Sequence, residues 1–241
     1  MKKTGSLLIM CLGLFFAHAQ NEKNLVVDAN AEVRTVNSFT AIEVSDAIDL
    51  YISQGNAEAV AISANADDIR TRIKTEVRGN TLHIFFDAKG LNWRKWGNNR
   101  MKAYVTYKKL ERLEASGACN IKTTDPIIQP ELKMEMSGAS DFTGEIKVGK
   151  LRLNGTGASV ITLSGKADEM NIDISGASQV KAYDLATDLC KVDASGASVI
   201  RISVNKELSA VASGGSNIKY RGTGLIRDIS SSGGASIKRD N

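Results

Sequence analysis

The sequence predicts an all-β protein whose body is a parallel β-helix, a β-solenoid of about seven rungs of ~20 residues each. Three observations lead there. First, one short phrase recurs seven times: a small hydroxylated residue, then glycine, then a small residue, with an aliphatic residue following closely. It begins at Ser116, Ser137, Thr156, Ser175, Ser195, Ser213 and Ser232, with spacings of 21, 19, 19, 20, 18 and 19 residues. Second, two columns flank it and are wholly apolar. Three residues before the phrase stand Leu113, Met134, Leu153, Ile172, Val192, Ala210 and Ile229; five residues after its start stand Ile121, Phe142, Ile161, Val180, Ile200, Ile218 and Ile237. Third, polar and apolar residues alternate between the glycines, as in Leu151-Arg152-Leu153 and Ile200-Arg201-Ile202, the period of a strand with one buried face.

Residues 1–19 have the parts of a secretory signal: Lys2 and Lys3, an apolar run from Leu7 to Phe16, and Ala17-His18-Ala19 before Gln20. Cleavage is expected after Ala19. Met10 stands where a lipoprotein signal needs a small residue before Cys11, which argues against lipidation. No later segment approaches the ~18 uninterrupted apolar residues of a transmembrane helix. The expectation is an exported chain, periplasmic, secreted or at the cell surface, with no transmembrane segment in its mature form. Removing Lys2 and Lys3 leaves 29 basic residues against 27 acidic ones, a balance that argues against nucleic acid as a partner. With 42% hydrophobic residues and two prolines the chain is a folded object.

Residues 20–38 are polar and read as a flexible lead. Residues 39–113 lack the glycine phrase but keep strand alternation in Phe39–Val44, Ile48–Ile52 and Thr81–Phe86, with Gly55-Asn56 and Gly79-Asn80 as turns. A short helical turn is expected near Asp67 and Asp68, giving way to strand spacing by Ile73. This N-terminal β-rich lobe is either a separate unit or a set of irregular first rungs, and in both cases it can cover the first coil.

Residues 114–241 hold the solenoid repeats. A glycine in every copy makes a straight strand unlikely to run through it, so a bend is expected at each, with one strand entering and another leaving. Stacking places the small residues of the phrase in rows, with Ala118, Ala139, Ala158, Ala177 and Ala197 expected inside and Ser140, Ser159, Ser178, Ser198 and Ser216 expected as a hydroxyl row. That row is expected to exchange hydrogen bonds along the stack. Seven rungs at ~4.8 Å give a rod of roughly 34 Å, right-handed by the general preference of parallel crossovers. Cys119 and Cys190 fall on rungs at least ~14 Å apart, beyond the ~7 Å between α-carbons that a disulfide tolerates, so both are expected as free, buried side chains.

The most conspicuous loop, Asp87 to Arg100, contains Trp93, Trp96, Arg94 and Lys95. Two indoles among cations offer a stacking surface for sugar rings or a patch for an acidic polymer; the competing expectation is that the indoles pack on the adjacent sheet. Catalysis has few candidates. His83 is the only histidine after processing and alternates with strand residues, and the phrase serines are too numerous to be nucleophiles. No zinc site, calcium-binding nonapeptide or cofactor motif is present in the sequence. Asp173 and Asp193 fall two residues before successive phrases, with Glu135 and Asn154 in the same column. Carboxylates on neighbouring rungs, about 5 Å apart, suit either a retaining glycosidase pair or a calcium site; a polysaccharide lyase or hydrolase is the enzymatic alternative.

The phrases Ser137-Gly138-Ala139-Ser140, Ser175-Gly176-Ala177-Ser178 and Ser195-Gly196-Ala197-Ser198, preceded by an alternating strand such as Phe39–Val44 and an export signal, resemble the putative auto-transporter adhesin, head GIN domain family over roughly residues 39–237. The resemblance implies a β-helical, exported bacterial protein, common in the Bacteroides-like lineage, with a binding or adhesive role and no established activity. It departs from an autotransporter in that the last phrase is followed only by Ile237-Lys238-Arg239-Asp240-Asn241, with no membrane-embedded barrel anchor. Ser45-Asp46-Ala47, without glycine, and Cys119 in place of serine are smaller departures.

The expectation is therefore a non-enzymatic exported binding protein of the cell envelope, adhesin-like, whose flat side and tryptophan loop meet a glycan or surface polymer. A purely structural envelope role is the nearest competitor. The final rung presents a sheet edge, where an end-to-end homodimer is expected, with Lys238, Arg239 and Asp240 placed to blunt it.

Overall fold

A computed structural model describes residues 28–90 and 100–240; the expected signal and the loop tryptophans fall outside them. The described strands join into one 17-stranded sheet wound on itself. From β8 (Arg112–Ala115) and β9 (Asn120–Thr123) the chain coils through β10 (Ile127–Met136), β11 (Asp141–Gly155), β12 (Val160–Ile174), β13 (Gln179–Ala194) and β14 (Val199–Ala212). It ends in β15 (Asn217–Arg221), β16 (Leu225–Ser231) and β17 (Ser236–Arg239). Pairing along this stretch is parallel throughout.

The two apolar columns lie in register, Leu113 beneath Met134, Leu153, Ile172, Val192, Ala210 and Ile229, and Ile121 beneath Phe142, Ile161, Val180, Ile200, Ile218 and Ile237. All are buried up to Ala210 and Ile218. The last rung departs from the expectation: Ile229 is 37% exposed and Ile237 half-buried. Among the described residues no further coil lies over them. Leu225 and Ile226 are also exposed at this open end, while Arg239 enters the inward column and stacks over Tyr220.

Every glycine of the phrase, from Gly117 to Gly233, has a positive φ between 68° and 81°. The corners also stack so closely that only glycine fits: a Cβ on Gly157 would stand 2.4 Å from the Gly138 carbonyl oxygen. One row was expected on the wrong side. Ala118, Ala139, Ala158, Ala177 and Ala197 are exposed, whereas Cys119, Ser140, Ser159, Ser178, Ser198 and Ser216 are buried. The reason is a carbonyl that the ladder leaves out. Thr156 N–H donates to Met136 O and Ala158 N–H to Gly138 O, skipping Ser137 O between them, and Ser140 Oγ turns inward to donate to that oxygen at 2.9 Å. Ser159, Ser198 and Ser216 do the same within their own phrases, and Cys119 Sγ reaches Ser116 O at 3.2 Å. A partly buried carbonyl without a partner is costly, so the inward position needs a donor.

The N-terminal region supplies two more rungs. They are β2 (Ala41–Val44) with β3 (Ile48–Gln54), and β6 (Thr81–Phe86) with β7 (Met101–Tyr107). Their order in space is not their order in the chain. β2 lies between β6 and β8, and β3 between β7 and β9, all parallel. The chain thus lays down the 41–54 rung, leaves it, builds 81–107 on its outer side, and crosses back to continue on its inner side. The excursion runs through β4 (Ala59–Ala64), α1 (Asp67–Arg70) and β5 (Ile73–Arg78). β4 pairs antiparallel with β7 and β5 with β6, covering the outer edges of that rung. Residues expected as part of the lead are held here: β1 (Glu32–Arg34) pairs with β4, and Asp28 accepts hydrogen bonds from Tyr104 Oη and Lys102 Nζ. The glycine-free Ser45-Asp46-Ala47 forms the same corner, with φ of 64° at Asp46 and 62° at Ala47. Asp46 is anchored there by Ser45 Oγ and Phe86 N–H on its Oδ2.

Candidate functional site

Because strand residues alternate in and out, in-register stacking turns each outward position into a column of neighbours one rung apart. Two such columns carry most of the chemistry on the outer surface. On the face that leads into the corners, the column runs His83, Glu43, Glu114, Glu135, Asn154, Asp173, Asp193. The spacing of Glu135, Asn154, Asp173 and Asp193 places them together as expected. Glu114, two residues before Ser116, holds the same offset; the extension to Glu43 and His83 was not legible, because the rung carrying Glu43 precedes its neighbours by an excursion in the chain.

Three carboxylates of this column have partners on the same face. His83 Nδ1 lies 3.0 Å from Glu43 Oε2, Lys133 Nζ lies 2.6 Å from Glu135 Oε1, and Arg112 pairs with Glu114. Further along the face Lys150 pairs with Glu169 at 2.5 Å and Arg152 with Glu131 at 2.7 Å. Burial pushes the Glu114 carboxyl above its ordinary range, reinforced by its hydrogen bond with Glu135. The hydrogen bond from Lys133 holds Glu135 below it. Glu43, Glu114, Glu135, Asn154 and Thr156 line a shallow groove of about 330 Å³. A carboxyl row can donate and accept protons; here Glu114 and Glu135 are tied up by Arg112 and Lys133. Among the described residues no group of three or more His, Cys, Asp or Glu is placed to hold a metal.

The second column lies on the face that leaves the corners. It runs Tyr104, Tyr51, Lys122, Thr143, Thr162, Lys181, Arg201, Lys219, Lys238. Tyr51 and Tyr104 stack with ring centroids 5.3 Å apart. At the other end four cations follow one another on successive rungs, and among the described residues none of the four makes an ion pair. This column is the sixth position after the start of every phrase, so the alignment that exposed the core could have exposed it too.

Trp93, Arg94, Lys95 and Trp96 lie outside the described residues. The strands before and after them are described: β6 pairs with β2 and β7 with β3. Cys119 and Cys190 are both buried and free.

The family described as "Putative auto-transporter adhesin, head GIN domain" matches residues 38–224. Among solved structures, a putative adhesin from Bacteroides fragilis NCTC 9343 superposes with a TM-score of 0.81 at 22% identity, covering 87% of this chain and 96% of that one. A putative adhesin from Parabacteroides merdae ATCC 43184 gives 0.67 at 18% identity over 88% and 95%. A putative lipid binding protein from Parabacteroides distasonis ATCC 8503 gives 0.68 at 20% identity over 89% and 98%. These likenesses show the shared fold. No curated protein matches.

Proposed function

Because the chain belongs to the putative auto-transporter adhesin, head GIN domain family, we propose that it is an exported, non-enzymatic binding protein of the bacterial envelope that recognises a glycan or surface polymer. The observation that carries this reading is the outward column from Tyr51 to Lys238, a row of rings, hydroxyls and cations repeated at rung spacing along one face. A row of that kind suits a long partner. Trp93 and Trp96, with Arg94 and Lys95, are proposed as further contact residues, since indoles beside cations stack well on sugar rings. Export is supported by Lys2 and Lys3, the apolar run to Phe16 and the small residues before Gln20.

The test is a glycan array probed with the purified protein, followed by Trp93→Ala/Trp96→Ala. A binder loses affinity in the double variant while its melting temperature stays nearly unchanged; loss of folding instead assigns the indoles to the core. The in-register Asp173 and Asp193 favour a second reading, a polysaccharide-cleaving enzyme. It requires release of reducing ends or unsaturated sugars that stops in Asp173→Asn or Asp193→Asn.

A further inference from the structure

We propose that Lys181, Arg201, Lys219 and Lys238 form a binding track for a linear acidic polysaccharide of the uronate type, one sugar carboxylate per rung. The inference rests on the reading of the chain as a polymer binder and names the polymer's chemistry. The four residues are mutual register partners on β13, β14, β15 and β17. Like charges directly opposed across a ladder destabilise it, and here the relief comes from Asp240, whose carboxyl is lowered by its hydrogen bond with Tyr183 and by the nearby Lys219 and Arg201, without pairing with either cation. Lys147, Lys150, Lys166 and Lys206 each lie within 3.1 Å of a carboxylate. An anion laid along the track supplies further counter-charge.

The flanks say what kind of anion fits. On one side stand Gln179, Val199, Asn217 and Ser236, uncharged and rich in hydrogen-bonding groups. On the other, Arg221 lies 4.1 Å from the Tyr183 ring centroid, and Tyr183 Oη donates to Asp240 at 2.6 Å. Asp240 is the acid of this corner, with Arg221 3.5 Å away. Beyond Lys181 the track continues through Thr162 and Thr143, hydroxyls suited to sugar hydroxyls, to Lys122 and the stacked Tyr51. Three rung intervals span ~14 Å, too long for one small anion. An extended pyranose chain advances by roughly one rung per sugar, whereas the charges of polyphosphate are more closely spaced. The column itself carries no large apolar side chain to enter a bilayer, and the exposed Leu225, Ile226 and Ile229 belong to β16, which stacks on the other face.

The experiment measures binding of the full chain to polygalacturonate by titration calorimetry at low and at physiological salt. The wild type is expected to bind and to weaken as salt rises. The variant Lys181→Gln/Arg201→Gln/Lys219→Gln/Lys238→Gln is expected to bind at least about tenfold more weakly, while Lys108→Gln/Lys147→Gln/Lys166→Gln/Lys206→Gln, with the same net charge, stays within about twofold. Equal losses in both variants, full affinity in the first, or equally tight, equally ladder-dependent binding of inorganic polyphosphate or anionic phospholipid vesicles overturns the proposal. If the first variant keeps its affinity and Trp93→Ala/Trp96→Ala loses it, the track falls and the binding function stands. If the wild type binds no glycan at all, both fall.

Discussion

Gly138 sits directly over Gly117, so that a Cβ on Gly138 would stand 2.4 Å from the Gly117 carbonyl oxygen and 2.9 Å from its nitrogen. The same hydrogen-bonded contact, Ala139 N–H to Gly117 O at 2.7 Å, repeats up the corner with distances of 2.7 or 2.8 Å. The corner is thus a backbone stack whose pitch is set by the sheet, and a side chain has no room between its layers.

Gly138→Ala is therefore expected to cost more than about 2 kcal/mol, combining a left-handed backbone with a clash against main-chain atoms that cannot swing away. The reverse change at the glycine-free corner, Ala47→Gly, is expected to gain about 0.5 kcal/mol, because relief of a positive φ exceeds the added entropy of the unfolded chain. Urea unfolding of both variants checks the pair.

The inward hydroxyls give a second prediction. Ser140→Ala leaves the half-buried Ser137 carbonyl without its donor and is expected to cost about 1 kcal/mol. Cys119→Ser places the better donor in an equivalent site and is expected to be neutral or slightly stabilising. Thermal unfolding of each separates a hydrogen-bonding role from simple space filling, in which Ser140→Ala is harmless.

Much of this was legible in advance, and the failures have physical causes. Leu113 to Ile237 announced the core because a period of about 19 residues returns the same position to the same face in every coil. The Ala and Ser rows were exchanged because composition does not reveal that Ser137 O is skipped by the ladder. The rung order was illegible because nothing in Tyr107 to Glu111 signals that the chain crosses the 41–54 rung, although Gly55 N–H to Tyr107 O and Glu111 N–H to Thr40 O mark that crossing in the structure. Lys181, Arg201, Lys219 and Lys238 share one offset from the phrase, so the same period that marked the core carried this column as well.

Cys190 is fully enclosed, and burial drives its thiol well above the ordinary range; burial likewise raises Cys119. Neither is expected to react with a thiol reagent in the native protein, and both are expected to titrate on unfolding without prior reduction. Rapid native labelling, or a requirement for reductant, contradicts this placement.

Asp28 ties residues before β1 to the sheet. Burial raises its carboxyl, but hydrogen bonds from Tyr104, Asn30, Ser63 and Lys102 outweigh that effect and hold it at about 2, below its ordinary 3.8. A depressed acid contributes stability above its unfolded value and loses it as pH falls towards the folded one. Asp28→Asn is therefore expected to lower stability by about 1 kcal/mol at neutral pH, after allowance for solvent screening. The gap to the wild type should close between about pH 4 and pH 2. A difference independent of pH assigns the residue a packing role only.

Under the proposed function this solenoid holds an acidic polymer without transforming it. The most direct measurement is size-exclusion chromatography with light scattering after prolonged incubation of the protein with polygalacturonate. Co-elution with a polymer of unchanged length is the predicted result; shortened chains, or a protein that elutes alone, contradict it.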